Sequence, residues 1–234
     1  MQKKRIFYSE IAYVLGVVFV ALGVAFCGKA DLGFSMIVAP AYILHRWISP
    51  VWPFFSFGMA EYTFQALLVL LLALALRRFR LSYLLSFVTA VIYGFVLDGL
   101  LALLSFLPAD EIWLRAIWFV LGVLITAAGV SMMFHTYLSP QVYELVVKEV
   151  SAYFHADINK VKIGYDASSL VLSVILSFIA FGFGRFVGVS WGTVVITLVN
   201  GLIISMFSRL YEKHLHFRDA FPWRKFFTGE DPVK

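Results

Sequence analysis

The chain has 234 residues, 62% of them hydrophobic and 14% charged, with a mean hydropathy of +0.89. Soluble domains are about 45–50% apolar, so this composition excludes a water-soluble globular protein and makes lipid the main solvent. The net charge of +5 is explained below by the placement of the cations rather than by nucleic acid, and the single Cys27 excludes an intrachain disulfide and a cysteine-based metal site.

Six apolar runs of membrane-crossing length are predicted as helices, at about 9–27, 59–76, 81–106, 112–133, 167–184 and 191–210. Short alternating segments of the kind a β-barrel needs are missing. The start, "MQKKRIFYSEIAYVLGVVFVALGVAF", has the basic opening of a signal peptide. Its apolar run is too long, and it lacks a small-x-small cleavage site, so it reads as a retained first span.

Span 1 ends in "GKADLGFSMIVAP" (28–40), which Gly28, Lys29, Asp31, Gly33 and Pro40 break too often for a continuous helix. The segment is also too apolar for a solvated loop. "WISPVWPFF" (47–55), with Trp47 and Trp52, reads as an aromatic interface anchor. In span 2, Glu61 and Gln65 lie one turn apart and are expected at the membrane interface. Span 3 carries Tyr93 and, deep inside, Asp98. A charge there is costly and a functional candidate by default; Asp98 is expected either to carry a proton or cation or to pair with Arg115.

After span 4 and the turn that ends it, "PQVYELVVKEVSAYF" (140–154) has helical spacing. Val142, Leu145, Val146, Val150 and Tyr153 form an apolar stripe, with Glu144, Lys148 and Glu149 opposite. "GFGRFVG" (182–188) sits at a membrane turn without the strand context of a dinucleotide site, and His214 and His216 in "HLH" diverge on a helix. The tail "FRDAFPWRKFF" (217–227) is expected at a membrane surface, where its cations meet anionic lipid.

The cations alternate from one connection to the next. All but Lys29, Arg46, Arg115 and Arg185, 15 of the 19 Lys and Arg, fall on one side of the six spans. The positive-inside rule then places both termini in the cytoplasm.

The chain also resembles itself. Residues 14–34, "VLGVVFVALGVAFCGKADLGF", align without gaps on 120–140, "VLGVLITAAGVSMMFHTYLSP", with eight identities in 21 positions at an offset of 106. "YGFVLD" (93–98) pairs more weakly with "NGLIIS" (200–205) at an offset of 107. A repeat of three spans must cross the membrane in opposite directions, the plan of many secondary transporters. Gly16 and Gly23 share a helix face, as do Gly122 and Gly129, and are expected to pack spans 1 and 4 together. The fold expected is therefore all-α and polytopic. Six transmembrane helices form two inverted three-helix repeats, each with a short helix after its first span. This is one membrane domain over 1–234, with repeat 1 at about 9–106, repeat 2 at about 112–210 and a cytoplasmic tail at 211–234.

"KADLGFS" (29–35), "TYLSPQ" (136–141) and "GTVVITLVNG" (192–201) resemble the YczE/YyaS/YitT group of bacterial six-helix membrane proteins. The resemblance implies that fold and a bacterial cytoplasmic membrane, and says little about chemistry. One departure is that Pro40 stands later than the proline which commonly follows the first Leu-Gly, whereas Pro140 in the second repeat keeps its place.

A site is expected between the repeats, bounded by the two post-helix turns and the middles of spans 3 and 6. Its candidate residues are Lys29, Asp31, Gly33, Ser35, Tyr93, Asp98, His135, Tyr137, Ser139, Gln141, Asn200 and Ser205. Helix N-termini inside the protein favour anions, and Lys29 and His135 would assist, so a small anionic or carboxylate-bearing solute is expected. The bland alternative lays both short helices along the membrane interface with Lys29 reaching water. The expected function is a transporter or channel. The alternatives are a capture subunit serving a separate ATPase, in the absence of a P-loop here, or a lipid-handling accessory protein. Nothing is spaced for catalysis, so no enzyme, cofactor or metal is expected. The expected partners are a small-molecule solute, membrane lipid, and a second copy or partner subunit.

Overall fold

The computed structural model describes residues 5–139 and 141–221. A short strand β1 (Arg5–Tyr8) leads into α1 (Ser9–Ala30), a short α2 (Ala39–Ile48), α3 (Phe57–Leu76) and α4 (Leu81–Leu103), which ends in a 3₁₀ turn. Then come α5 (Ile112–Phe134), a short α6 (Val142–Phe154), α7 (Ile158–Phe181), α8 (Trp191–His214) and β2 (Leu215–Arg218). The six long helices are each long and apolar enough to cross a membrane, and each of the short ones follows the first span of a set of three.

Local chemistry fixes the helix ends. Ser56 Oγ accepts the Met59 N–H at 3.0 Å to start α3, and Asp157 Oδ1 accepts Asn159 and Lys160 N–H at 2.9 and 3.1 Å to start α7. Asp31 and His155, both at φ 50°, close α1 and α6 in the left-handed region. Span 5 needs correction, since it runs over Ile158–Phe181 and not 167–184. Lys160, Lys162 and Asp166 depress the hydropathy of its first turns, yet the Asp157 cap begins the helix before them. Gly182, at φ 94°, ends it early.

At the centre α1 and α5 cross in opposite directions. A Cβ built on Gly16 would stand 3.0 Å from Gly129 O, and one on Gly23 would stand 2.6 Å from Gly122 O. The glycines let the backbones touch where lipid supplies no hydrophobic drive. Half of the most apolar 18-residue stretch of each of these helices is buried, against 17% for α7 and 11% for α8, which places α7 and α8 at the periphery. α4 packs on α1 and α3, and α8 on α5; α2 lies against α3 and α7, and α6 against α3, α4 and α7.

The α3–α4 and α7–α8 pairs differ in how closely they pack. Gly58 and Gly94 press α3 onto α4, so that a Cβ on Gly94 would stand 2.8 Å from Gly58 O. The positions offset by 106 and 107 are Gly164 and Gly201, and neither has anything within 4 Å of its would-be Cβ. Their helices, α7 and α8, share few contacts although they are consecutive.

Both short helices begin inside the bundle. Ala39, Ala41 and Ile43 at the start of α2 are wholly buried, as is Val142 at the start of α6, with Tyr143 2% exposed. Of the apolar stripe expected on α6, Val142 and Leu145 are buried, Val146 and Val150 are half-buried, and Tyr153 is exposed. Glu149, expected on the polar side, is buried and accepts from Arg78 Nη2 at 3.1 Å, Arg80 Nη1 at 3.0 Å and Tyr83 OH at 3.0 Å. Those three donors, from the α3–α4 corner, pull the carboxylate inward.

The strands β1 and β2 pair in parallel, from Arg5 with Leu215 to Tyr8 with Arg218. They bring the two ends of the described chain to one face. Residues 217–218 of the tail expected at the membrane surface are thus in β2. Its residues 222–227 lie outside the described residues, as do Pro140 and the cations Lys3, Lys4, Arg224, Lys225 and Lys234.

Candidate functional site

Two small cavities flank the α1–α5 crossing, each of about 20 Å³, room for a single water. One, at the start of α2, is lined by Val24, Cys27, Ser35, Val38, Thr126 and Asn200 among others. The other, at the start of α6, is lined by Val20, Val130, Met133, Phe134, Gln141 and Glu144. The offset of 106 carries Val24, Cys27, Ser35 and Val38 onto Val130, Met133, Gln141 and Glu144, and Val20 onto Thr126. Each cavity keeps a buried polar atom with no hydrogen-bond partner among the described residues, Thr126 Oγ1 in the first and Gln141 Nε2 in the second. Burial raises the Glu144 carboxyl above its ordinary pKa, with Lys162 of α7 opposing.

Between α3 and α6 lies a cluster of buried polar side chains. Glu61 and Gln65, expected at the interface, are both 0% exposed. Glu61 Oε2 accepts from Tyr143 OH at 2.8 Å and from Gln65 Nε2 at 3.2 Å. Gln65 Oε1 accepts the Val142 N–H at 3.2 Å and so caps α6. Glu61 Oε1 has no partner among the described residues. Their nearness to the start of span 2 hid this placement, because the start of α6 encloses them from the side before the helix runs on to the corner at Arg78 and Arg80. The signal in the sequence was the acid itself, four residues from a polar amide within an apolar run.

The first turn closes on itself. Lys29 Nζ donates to Ser105 O at 3.0 Å. Arg115 donates through Nε to Ala30 O at 2.6 Å and through Nη2 to Asp31 O at 2.8 Å, with Asp31 Oδ2 at 3.4 Å. A cation thus sits on the C-terminal carbonyls of α1, and Arg115 pairs with Asp31 rather than Asp98. Gly33, at φ 109°, lies against the start of α8, where a Cβ would stand 2.7 Å from Thr193 Oγ1.

The second turn faces the paired strands. The His135 ring stacks on Phe217 at 4.7 Å, and its Nε2 lies 3.3 Å from both Glu212 Oε1 and Ser208 Oγ. Tyr137 OH donates to Glu10 Oε1 at 2.6 Å, and Ser139 O accepts from Thr89 Oγ1 at 3.1 Å. Of the twelve expected site residues, Ser35, Asn200 and Gln141 line the cavities.

Tyr93, Asp98, Asn200 and Ser205 do not face one another, since α4 packs on α1 and α3 while α8 packs on α5. Tyr93 is buried, and Ser205 is exposed on α8. Asp98 Oδ2 accepts from Ser56 Oγ at 2.6 Å, and its Oδ1 accepts the Gly58 N–H at 2.7 Å. The carboxylate finishes the cap of α3.

Six apolar spans, two short helices that begin inside the bundle and polar groups enclosed among them define a polytopic helical membrane protein. The chain belongs to the family of unknown function DUF6198, whose sequence profile matches residues 7–209. No curated protein and no solved structure matches it.

Proposed function

We propose that the protein is a transporter for a small polar solute, built as two inverted three-helix repeats that move against each other. The observation that carries this reading is the unequal joint, shut at Gly58–Gly94 between α3 and α4 and open at Gly164 and Gly201 between α7 and α8. Two equivalent halves in unequal arrangements are what alternating access requires. The α1–α5 crossing supports the repeat. Gly16 meets Gly129 and Gly23 meets Gly122, and the offset of 106 turns one contact into the other. The equivalent cavities support it further.

The polar lining of Ser35, Thr126 and Asn200, with Gln141 and Glu144 in the second cavity, suits a solute that exchanges hydrogen bonds. A negative charge on that solute finds less support, because Lys29 and His135 are engaged away from both cavities.

A thermal-shift screen of purified protein against small anions, amino acids, vitamins and phosphorylated compounds should find a stabilising class. Uptake of that class into proteoliposomes is expected, with loss of at least tenfold in Ser35→Leu and Asn200→Leu and full activity in Lys29→Ala and His135→Ala. Tight binding without uptake would replace this reading with a capture subunit for a separate ATPase. Full uptake in the two leucine variants would remove the cavity from the path.

A further inference from the structure

Glu61 is a carboxyl with no place in the cavities, yet it is enclosed more completely than any of their polar groups. It belongs to α3, and titratable side chains lie on each of the helices α2, α4, α6 and α7 around that part of the bundle. From α6 come Tyr143, bonded to Oε2, and the half-buried Glu144 one residue further on. From α4 come Tyr93, close enough to feel its charge, and Asp98, whose oxygens are taken by Ser56 and Gly58. From α7 comes Tyr165, which also feels its charge. From α2 comes His45, which stacks on Phe57 at 5.9 Å and bonds Phe55 O through Nδ1. No ion pair among the described residues includes Glu61.

An ionised carboxylate taken out of water without a cation costs several kcal/mol, and an intramembrane acid is a functional group by default. Two donors converge on Oε2, from Tyr143 and Gln65, and leave Oε1 as the oxygen open to a proton. The arrangement is also one-sided. The offset of 106 places Ala167 opposite Glu61 and Val171 opposite Gln65, so the equivalent joint of α7 with α2 lacks the acid.

We propose that Glu61 is a reversible proton-binding site at the joint of α3 and α6, and that through it the protein couples to a proton gradient. The coupling rests on the transport reading above, whereas the proton site does not. Tyr143 joins the two parts of the molecule. It donates to Glu61, and the same turn of α6 carries Gln141 and Glu144 at the cavity wall. Loss of the proton leaves a carboxylate with two donors on Oε2 and none on Oε1, and a buried charge left short of hydrogen bonds favours admission of water to Oε1 by parting the two helices.

Infrared difference spectra of the purified protein in detergent, taken between acid and alkaline pH with no solute or gradient, test the site. The wild type should lose the carbonyl band of a protonated carboxylic acid as pH rises. That component should be absent from Glu61→Gln and moved in frequency in Glu61→Asp, which serves if the glutamine variant fails to fold. Tyr143→Phe, which deletes a hydrogen bond to the carboxyl, should keep the band and change the pH at which it disappears. A band in the wild type that is unaltered over the whole range would overturn the proposal, as would an equal loss in Glu61→Gln. Removal of the band by sodium at fixed pH, with choline as control, would make the occupant a metal cation and overturn it too. Because the measurement needs no flux, a failed proton site and a failed transport reading give different results.

Discussion

The carboxylate of Asp98 takes the two donors at the start of α3, Ser56 Oγ and the Gly58 N–H. A group in that role stabilises a helix end, and its loss costs about 1–2 kcal/mol. Asp98→Ala should therefore lower the unfolding midpoint in detergent, with Asp98→Asn in between. An ion carrier would behave differently, losing transport while the midpoint stayed in place. Glu144 behaves in the opposite sense. Its ordinary value is 4.5 and burial raises it, so the folded protein holds the proton more tightly than the unfolded chain. The stability from this group is full below about 4.5 and is lost as pH rises through the folded value. Glu144→Gln should flatten that decline, as read by melting curves across pH. From sequence, Asp98 was visible as an unusual residue but its partners were not, because Ser56 and Gly58 stand some forty positions earlier.

At the scale of the helix pairs, four glycines separate a closed joint from an open one. Gly58→Ala or Gly94→Ala places a methyl group against a backbone carbonyl, and overpacking of this kind costs about 1–3 kcal/mol. Gly164→Ala and Gly201→Ala meet nothing within 4 Å, so they should leave the midpoint unchanged or raise it slightly through helix propensity. Melting of the four single variants in one detergent checks the contrast. The long helices were legible because their apolar runs are uninterrupted, and α7 was cut short in the reading because Lys160, Lys162 and Asp166 fall within it. The burial of Glu149 was illegible for a related reason. Its three donors, Arg78, Arg80 and Tyr83, reach it from the far side of the α3–α4 corner.

For the molecule as a whole, the offset of 106 exposed the arrangement better than any single motif. It anticipated that α1 and α5 pack together, and the glycines that identified the alignment are the ones that touch. The weaker echo between 93–98 and 200–205 misled, since likeness of sequence does not bring two segments into contact, and α4 and α8 take separate neighbours. If α7 closes on α8 as α3 does on α4, cysteines at 164 and 201 should cross-link in membranes on oxidation. A ligand from the thermal-shift screen should change the yield. Absence of any cross-link with or without that ligand would argue that the open joint is permanent.

The pairing of β1 with β2 bears on how the chain is made. Arg5 and Leu215 are neighbours across 210 positions of sequence, and Glu10 at the head of α1 receives the N–H groups of Ala220 and Phe221. Contacts so distant in sequence form late, because the loop between them must first be ordered. During synthesis β1 and Glu10 emerge first and stay without these partners until the last helix has been inserted. Protection of the Ala220 and Phe221 amides from hydrogen exchange is then a marker of completed assembly, since a nascent chain halted before β2 cannot display it.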